Sequence, residues 1–173
     1  MSRLPPRRLS VAPMLDWPDR HFRFMARQIT ENAWLYSEMI NAGAIVYGDK
    51  DRFLIFNEGE QPVALQLGGS DPTDLAKAAK AAEEYGYNEI NLNCGCPSPR
   101  VQKGAFGACL MNEVGLVADC LNAMQDAVDI PVTVKHRIGV DRQTEYGVAA
   151  EFVGTLYEKT ACRTFIVHAR NAW

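Results

Sequence analysis

The sequence has 173 residues, of which 47% are hydrophobic and 23% are charged. This size and composition are typical of one globular domain and exclude a disordered or fibrous protein. The net charge of -3 gives no overall attraction to nucleic acid, and no apolar run is long enough to predict a transmembrane helix. The five cysteines are odd in number and no secretory signal precedes them, so we expect a reduced, cytoplasmic protein.

Six short β-prone runs alternate with helical patterns along the chain. Most of the runs are continuously apolar, which is typical of strands buried on both faces of a parallel sheet. The predicted strands are residues 9–14, 34–39, 62–67, 89–93, 131–135 and 164–168. Their alternation with helices predicts an α/β fold with a parallel sheet and the helices outside it.

The helix with the clearest sequence signals follows the third run. Asp71 occupies the N-cap position, Pro72 follows at the first helical position, and Gly86 marks the end. Two further helical patterns cover residues 117–128 and 144–158, where apolar residues recur at helical spacing.

Two parallel architectures compete, an open doubly wound sheet and a closed (β/α)8 barrel. The glycine-rich turn that usually follows the first strand of an open nucleotide-binding sheet does not occur in the sequence. Instead, mostly polar residues close successive runs, as they do at the catalytic face of a barrel. These closing residues are Pro13 and Met14, Glu38, Gln66, Asn93, Lys135 and His168. The sequence therefore predicts a TIM-barrel type of fold.

The repeat length bounds how much of a barrel the chain supplies. Pro13 and His168 lie 155 residues apart over five repeats, or 31 residues per repeat. Eight repeats require about 250 residues. We therefore expect residues 1–173 to form the N-terminal portion of a single barrel domain, with about six of the eight strand–helix repeats.

A cysteine-containing loop follows the fourth run, with the sequence NLNCGCPSPR at residues 91–100. Gly95 and Pro97 flank Cys96 and would hold it in a tight turn. A free thiol is mostly protonated at neutral pH and can act as a general acid. Cys94 and Cys96 could also be small buried hydrophobic residues. The C-x-C spacing does not suit a zinc site, so we expect no metal.

Polar side chains at the ends of the other runs point to a shared site. Lys135 ends a buried strand, so its ammonium must face solvent or an anionic partner. His168 ends the sixth run, and the amide of Gln66, which can donate and accept hydrogen bonds at once, ends the third. Each signal is ambiguous alone, and their recurrence at equivalent strand ends favours a binding site.

Six segments of the sequence resemble the tRNA-dihydrouridine synthases. They are VAPM (11–14), LQL (65–67), NLNCGCP (91–97), GAFGACL (104–110), VK (134–135) and VHAR (167–170). The resemblance runs the whole length of the chain, and the GCP loop followed by GAFGACL is highly specific. The amino-acid sequences of the first two repeats and of the last residues are most like those of the bacterial A-type branch.

The resemblance implies an FMN enzyme that uses NADPH to reduce the C5–C6 double bond of uridines in the D loop of tRNA. Members of the A-type branch act at positions 20/20a. By resemblance, hydride passes from the flavin to C6, and Cys96 gives a proton to C5. The residues implied in cofactor binding are Pro13, Met14, Leu15, Gln66, Lys135 and His168. Asn93 and Arg100 are implied in substrate binding, Asn93 beside the flipped uracil and Arg100 at an RNA phosphate.

The resemblance also implies parts that we expect to be absent. Family members continue past Trp173 with two more strands and a helical C-terminal domain that grips tRNA. We therefore expect this chain alone to be a poor enzyme. No obligate protein partner and no membrane contact are implied. Two alternatives stay open: an FMN barrel dehydrogenase of free pyrimidines, of the dihydroorotate or dihydropyrimidine type, and a fragment without activity.

Overall fold

In the computed structural model, which describes residues 7–14, 16–143 and 145–172, six parallel strands form one curled sheet. Each strand pairs with the next strand in the chain, because a helical connection returns over the outside of the sheet each time. The strands are β1 (Ser10–Val11), β2 (Trp34–Asn41), β3 (Val63–Gly68), β4 (Glu89–Cys94), β5 (Val132–Arg137) and β6 (Phe165–His168). The fold is α/β and forms part of a TIM barrel, as predicted.

Seven helices lie among the strands in the described part of the chain. They are α1 (Arg20–Ile29), α2 (Ala42–Tyr47), α3 (Lys50–Leu54), α4 (Pro72–Glu84), α5 (Pro99–Lys103), α6 (Val114–Ala127) and α7 (Tyr146–Lys159). Short 3-10 helices cover Glu58–Glu60 and Gly107–Asn112. None of the described helices is long and apolar enough to cross a membrane.

The main core lies between the central strands and the helices outside them. Every residue of β3 and β4 is buried, which explains the nearly continuous apolar sequence of β3. Ala78 and Leu75 of α4 and Leu121 of α6 pack in this core. Burial of a leucine side chain contributes about 1.5–3 kcal/mol to folding, so this packing stabilises the central repeats.

The start of α4 is capped as the sequence predicts. The Asp71 carboxylate accepts a hydrogen bond from the Asp74 N–H at 2.9 Å, and Pro72 occupies the first turn, where no N–H partner is needed. Gly86 has a φ of +94° just after the helix, a conformation that glycine adopts without strain. Helix α4 therefore ends where the sequence predicts.

The end of β2 differs from the prediction. The register of β2 shifts between Tyr36 and Met39. Tyr36 packs inside the curl against Ala64, and residues three apart on a regular strand would face opposite sides. The bulge therefore brings Met39 to the inner side as well. Glu38, which was predicted to close this strand at the site, instead lines a groove with residues of α1 and α3.

Candidate active site

A cavity of about 220 Å³ opens at the carboxyl ends of the strands. Each of the six strands, or the loop that follows it, contributes to its wall. The lining residues are Pro13, Met14, Met39, Gln66, Asn93, Gly95, Cys96, Pro97, Lys135, Arg137 and His168. Gln66 and Lys135 therefore meet at the same end of the sheet, as the barrel prediction requires.

Seven of the nine residues proposed from the sequence line this cavity. They are Pro13, Met14, Gln66, Asn93, Cys96, Lys135 and His168. Leu15 lies outside the described residues. Arg100 is exposed on α5 and does not line the cavity, so its contact with RNA stays a prediction.

Four lining residues were not predicted as site residues: Met39, Gly95, Pro97 and Arg137. Gly95 and Pro97 were expected only to hold the turn around Cys96. Arg137 follows Lys135 by two positions on β5, and side-chain alternation along a strand would have placed both on the same face. Met39 reaches the cavity only because of the bulge in β2, for which the local sequence carries no turn or glycine signal.

The loop that carries Cys96 is held by one amide oxygen. Asn93 Oδ1 accepts hydrogen bonds from the backbone N–H groups of Gly95 at 3.0 Å and Cys96 at 2.9 Å. The half-buried Cys96 Sγ lies 3.5 Å from Ser98 Oγ, and Ser98 caps α5. The thiol therefore sits in a fixed turn that faces the cavity.

The GAFGACL segment supports this loop from the other side. The Ala108 N–H donates a hydrogen bond to the Cys96 carbonyl at 2.9 Å. Gly107 has a φ of +78°, and a Cβ atom there would lie 2.6 Å from the Cys96 carbonyl oxygen. Both observations require glycine at this position. The conformation of the thiol loop thus depends on a contact between the two parts of the sequence motif.

Two amides form the buried side of the cavity. Gln66 is 1% exposed; its Nε2 donates to Asn91 Oδ1 at 2.7 Å, and its Oε1 accepts from Asn93 Nδ2 at 2.8 Å. An amide has two N–H donors and two acceptor lone pairs. Gln66 therefore keeps one donor and one acceptor for a ligand, and Asn93 keeps one N–H.

Positive charge lies beside the amides, because Lys135 on β5 is paired in register with Asn93 on β4. The ammonium of Lys135 is half-buried, and no described residue pairs with it. Burial lowers the pKa of Lys135, and the nearby Arg137 lowers it further. Burial and the cations Arg137, Lys135 and Arg170 also lower the pKa of His168. Because no Asp or Glu is among the described residues that line the cavity, its charge favours an anionic ligand.

All five cysteines are free thiols. Burial raises the pKa of Cys94, which lies in the core, and raises that of Cys120 to about 12. Cys96 alone among the five lines the cavity. Among the described residues, no group of three or more His, Cys, Asp and Glu side chains is arranged to hold a metal ion.

Comparison with known proteins identifies the family. Residues 10–172 match the family described as dihydrouridine synthase (Dus). The chain belongs to the dihydrouridine synthase family. This confirms the resemblance inferred from the sequence motifs, and the cavity with Cys96 is the candidate active site of a dihydrouridine synthase.

Three relatives are named tRNA-dihydrouridine(20/20a) synthase. The protein from Vibrio parahaemolyticus is 60% identical over 166 residues, which cover 96% of this chain and 51% of the relative. The protein from Yersinia pestis is 60% identical over 169 residues, 98% of this chain and 49% of the relative. The protein from Escherichia coli strain K12 is 58% identical over 166 residues, 96% and 48% respectively. The chain thus spans about half the length of these relatives.

Proposed function

We propose that this chain is the N-terminal part of the catalytic barrel of an enzyme that reduces uridine to 5,6-dihydrouridine at positions 20/20a in the D loop of tRNA. FMN is the proposed prosthetic group and NADPH the proposed reductant. The observation that carries the proposal is the meeting of Cys96, the Gln66 and Asn93 amides and Lys135 in one cavity. The names of the relatives support the choice of tRNA and of the position.

The chemistry of the cavity fits the ring end of a flavin. The free N–H of Gln66 suits a carbonyl oxygen of the ring, its spare acceptor suits the imide N–H, and the unpaired Lys135 suits the N1/O2 side, where negative charge collects. The free N–H of Asn93 is left for the uracil beside it. Pro13 and Met14 provide an apolar, polarizable wall. Bound FMN would supply the hydride that adds to uracil C6.

Cys96 is the proposed general acid. Saturation of the uracil ring requires a proton at C5 as well as hydride at C6, and the Cys96 Sγ–H would break to form the new C5–H bond. The thiolate left behind lies near the guanidinium of Arg137; burial and Arg170 lower the pKa of Arg137, and its interaction with Cys96 opposes that shift. Arg137 also donates from Nε to the Gly95 carbonyl at 2.9 Å, so the same guanidinium holds the loop and stabilises its negative charge.

The tRNA must present an extruded base to this cavity. A uridine inside folded RNA is unreachable, so the proposed reaction requires flipping of the nucleotide into the site. Arg100 on α5 is exposed and follows the Cys96 loop, which suits a contact with a flanking phosphate. A tRNA substrate and five free thiols are consistent with the cytoplasm as the proposed compartment.

The test is reduction of tRNA with NADPH by the complete enzyme of which this chain is the proposed N-terminal part. We expect visible flavin absorption in that purified enzyme, and dihydrouridine at positions 20/20a in a tRNA transcript. A transcript with cytidine at those positions is the matched control. Reduction of free uracil in preference to tRNA would favour a dehydrogenase of free pyrimidines, and a protein that binds no flavin would contradict the proposal.

A further inference from the structure

Strand β4 carries a polar stripe through the middle of the fold. Glu89, Asn91 and Asn93 stand at alternate positions, so they share the inner face of the curl. Ile90 and Leu92, between them, pack in the outer core with the helices. Glu89 and Asn91 are 0% exposed and Asn93 is 8% exposed. Buried polar groups are costly unless they are hydrogen-bonded, so each of these side chains must have a hydrogen-bond partner inside the fold.

A continuous series of hydrogen bonds links these residues from the amino end of the sheet to the cavity. Thr133 Oγ1 donates to Glu89 Oε1 at 2.5 Å, and Asn91 Nδ2 donates to Thr133 Oγ1 at 2.8 Å. The series continues through Gln66 to Asn93 and ends at the backbone N–H groups of the Cys96 loop. Strand register explains it, because Asn91 pairs with Gln66 on β3 and with Thr133 on β5.

The direction of the series is fixed at both ends. An ionised Glu89 carboxylate can only accept, so the Thr133 hydroxyl donates to it and must accept from Asn91 Nδ2. At the other end the backbone N–H groups can only donate, so Asn93 must turn its oxygen to them. Each amide in between has its nitrogen directed towards Glu89 and its oxygen towards the loop. The two ends demand the same orientation, and no member can flip alone without losing a bond.

The Glu89 end is itself anchored away from the cavity. Its carboxylate pairs with Arg7 and accepts from the Tyr36 hydroxyl at 3.1 Å. Burial raises the pKa of Glu89, and its bonds with Thr133, Arg7 and Tyr36 oppose that rise. Glu89 lies four residues before Asn93, about 13 Å along the strand, so it cannot touch a ligand in the cavity.

We propose that Thr133, Asn91 and Glu89 are positioning residues, which fix the orientation of the Gln66 and Asn93 amides and through Asn93 the place of the Cys96 loop. The spare groups facing the cavity then include an N–H on each amide. A reversed series would present different groups to a ligand and would release the loop N–H groups. The catalytic consequence rests on the proposed function, whereas the positioning of the loop does not.

The experiment compares Thr133→Val with Thr133→Ser. Valine keeps the shape of threonine and removes the hydroxyl, while serine keeps the hydroxyl and removes the methyl group. Amide hydrogen exchange, measured by NMR, reports the Gly95 and Cys96 N–H groups directly and requires neither FMN nor tRNA. Exchange at Leu65 and Leu92, in the central strands, corrects for any general loss of stability.

We expect Thr133→Val to speed exchange at Gly95 and Cys96 about fivefold relative to the two core amides, as for the loss of one hydrogen bond. Thr133→Ser should stay within about twofold of the unaltered chain. Thr160→Val is the matched control, because Thr160 is a buried threonine whose hydroxyl donates to the Leu156 carbonyl, outside the series. It should produce no selective effect at Gly95 and Cys96.

Equal exchange in the valine and serine variants, or a rise that is uniform over the core, would overturn the proposal. If Thr133→Val fails to fold, NMR contacts in the unaltered chain test the proposal instead. We expect cross-peaks from the Asn91 Nδ2 protons to Thr133 and from the Asn93 Nδ2 protons to Gln66. Amides in the reverse orientation would refute the proposal. Titration with FMN forms a separate arm. A complete enzyme that binds no FMN contradicts the proposed function and leaves the exchange result decisive for the positioning role.

Discussion

The two sides of the cavity differ in how completely their polar groups are used. On the amide side, Gln66 and Asn93 are almost fully buried and each is hydrogen-bonded to neighbours on adjacent strands. On the cationic side, Lys135 is half-buried without a described partner and His168 is exposed. The amide side of the site is therefore held in shape by the protein alone, whereas the positive charge of the cationic side is available to a ligand.

Position in the sheet explains the difference for His168. The amides stand on β3 and β4, which have a paired strand on each side, while β6, which carries His168, pairs with β5 alone among the described residues. Lys135 stands on β5, which is also paired on both sides, so its partial exposure comes from its place near the carboxyl end of the strand. Central strands exclude water from both faces, so their polar groups must bond to one another. Residues nearer the edge keep contact with water and can carry charge at a lower cost.

Loss of the thiol held by the amide side should produce the largest effect. In FMN-loaded enzyme, Cys96→Ala should slow uridine reduction by roughly 10²–10⁴-fold, the usual range for a general acid. Reduction of the flavin by NADPH should be nearly unchanged, since that half-reaction needs no proton at C5. The measurement is the rate of each half-reaction in rapid mixing.

Cys109→Ala is the control for this prediction, because Cys109 is a thiol of similar burial that lies outside the cavity. It should alter neither half-reaction more than about twofold, an effect within the range of neutral substitutions. If both half-reactions fell together in Cys96→Ala, Cys96 would be a support of the loop and not an acid.

Removal of charge from the cationic side should weaken FMN binding. Lys135→Ala should raise the Kd of FMN about 10- to 100-fold, from the loss of about 1.5–3 kcal/mol for a hydrogen bond to a charged group. Fluorescence titration with FMN measures it. Lys103→Ala removes an exposed lysine of α5 outside the cavity and should leave the Kd unchanged. Equal losses in both variants would mean that net charge alone matters.

The pH dependence of FMN binding should follow the same lysine with a smaller effect. Burial and Arg137 lower the pKa of Lys135 from its ordinary value of 10.5. The protonated form binds an anion, so affinity should fall severalfold as pH rises through this lowered pKa. Isothermal titration across alkaline pH tests this fall. If the affinity for FMN still fell with rising pH in the Lys135→Met variant, another titrating group would be responsible.

The smallest effect on the site is expected at the edge of the sheet. Val167 on β6 is 51% exposed, and an apolar edge strand favours association between chains. Val167→Lys should reduce self-association, measured by sedimentation over a range of concentrations, and should leave FMN affinity within about twofold of the unaltered chain. Unchanged association would show that the edge of β6 is not the contact.

Much of this arrangement follows from sequence pattern, because the strands are short, apolar and closed by polar residues. Gln66, Asn93 and Lys135 were predicted at one end of the sheet, and they line one cavity. The inward stripe of Glu89 and Asn91 was missed, although the alternating polar residues in EINLN signalled it. In a parallel sheet with both faces covered, strands usually read as continuous apolar runs, so the sequence interpretation did not separate the two faces.

Other features depend on interactions that no local pattern encodes. The bulge in β2 replaced Glu38 by Met39 at the cavity, and it is set by pairing with β3 over a distance in sequence. The roles proposed for the cavity residues came from family resemblance and remain predictions, because neighbouring side chains define a site without naming its ligand.

Arg7 covers part of the amino end of the curl. Its guanidinium pairs with Glu89 and lies 4.7 Å from the centre of the Trp34 ring, so a cation and an indole lie together at the end of the polar stripe that is remote from the cavity. The cavity lies at the other, carboxyl end, beside the Cys96 loop. On the proposed function, FMN, NADPH and the uridine would all have to reach the Cys96 loop, so the nicotinamide and the base would have to occupy the same space in turn.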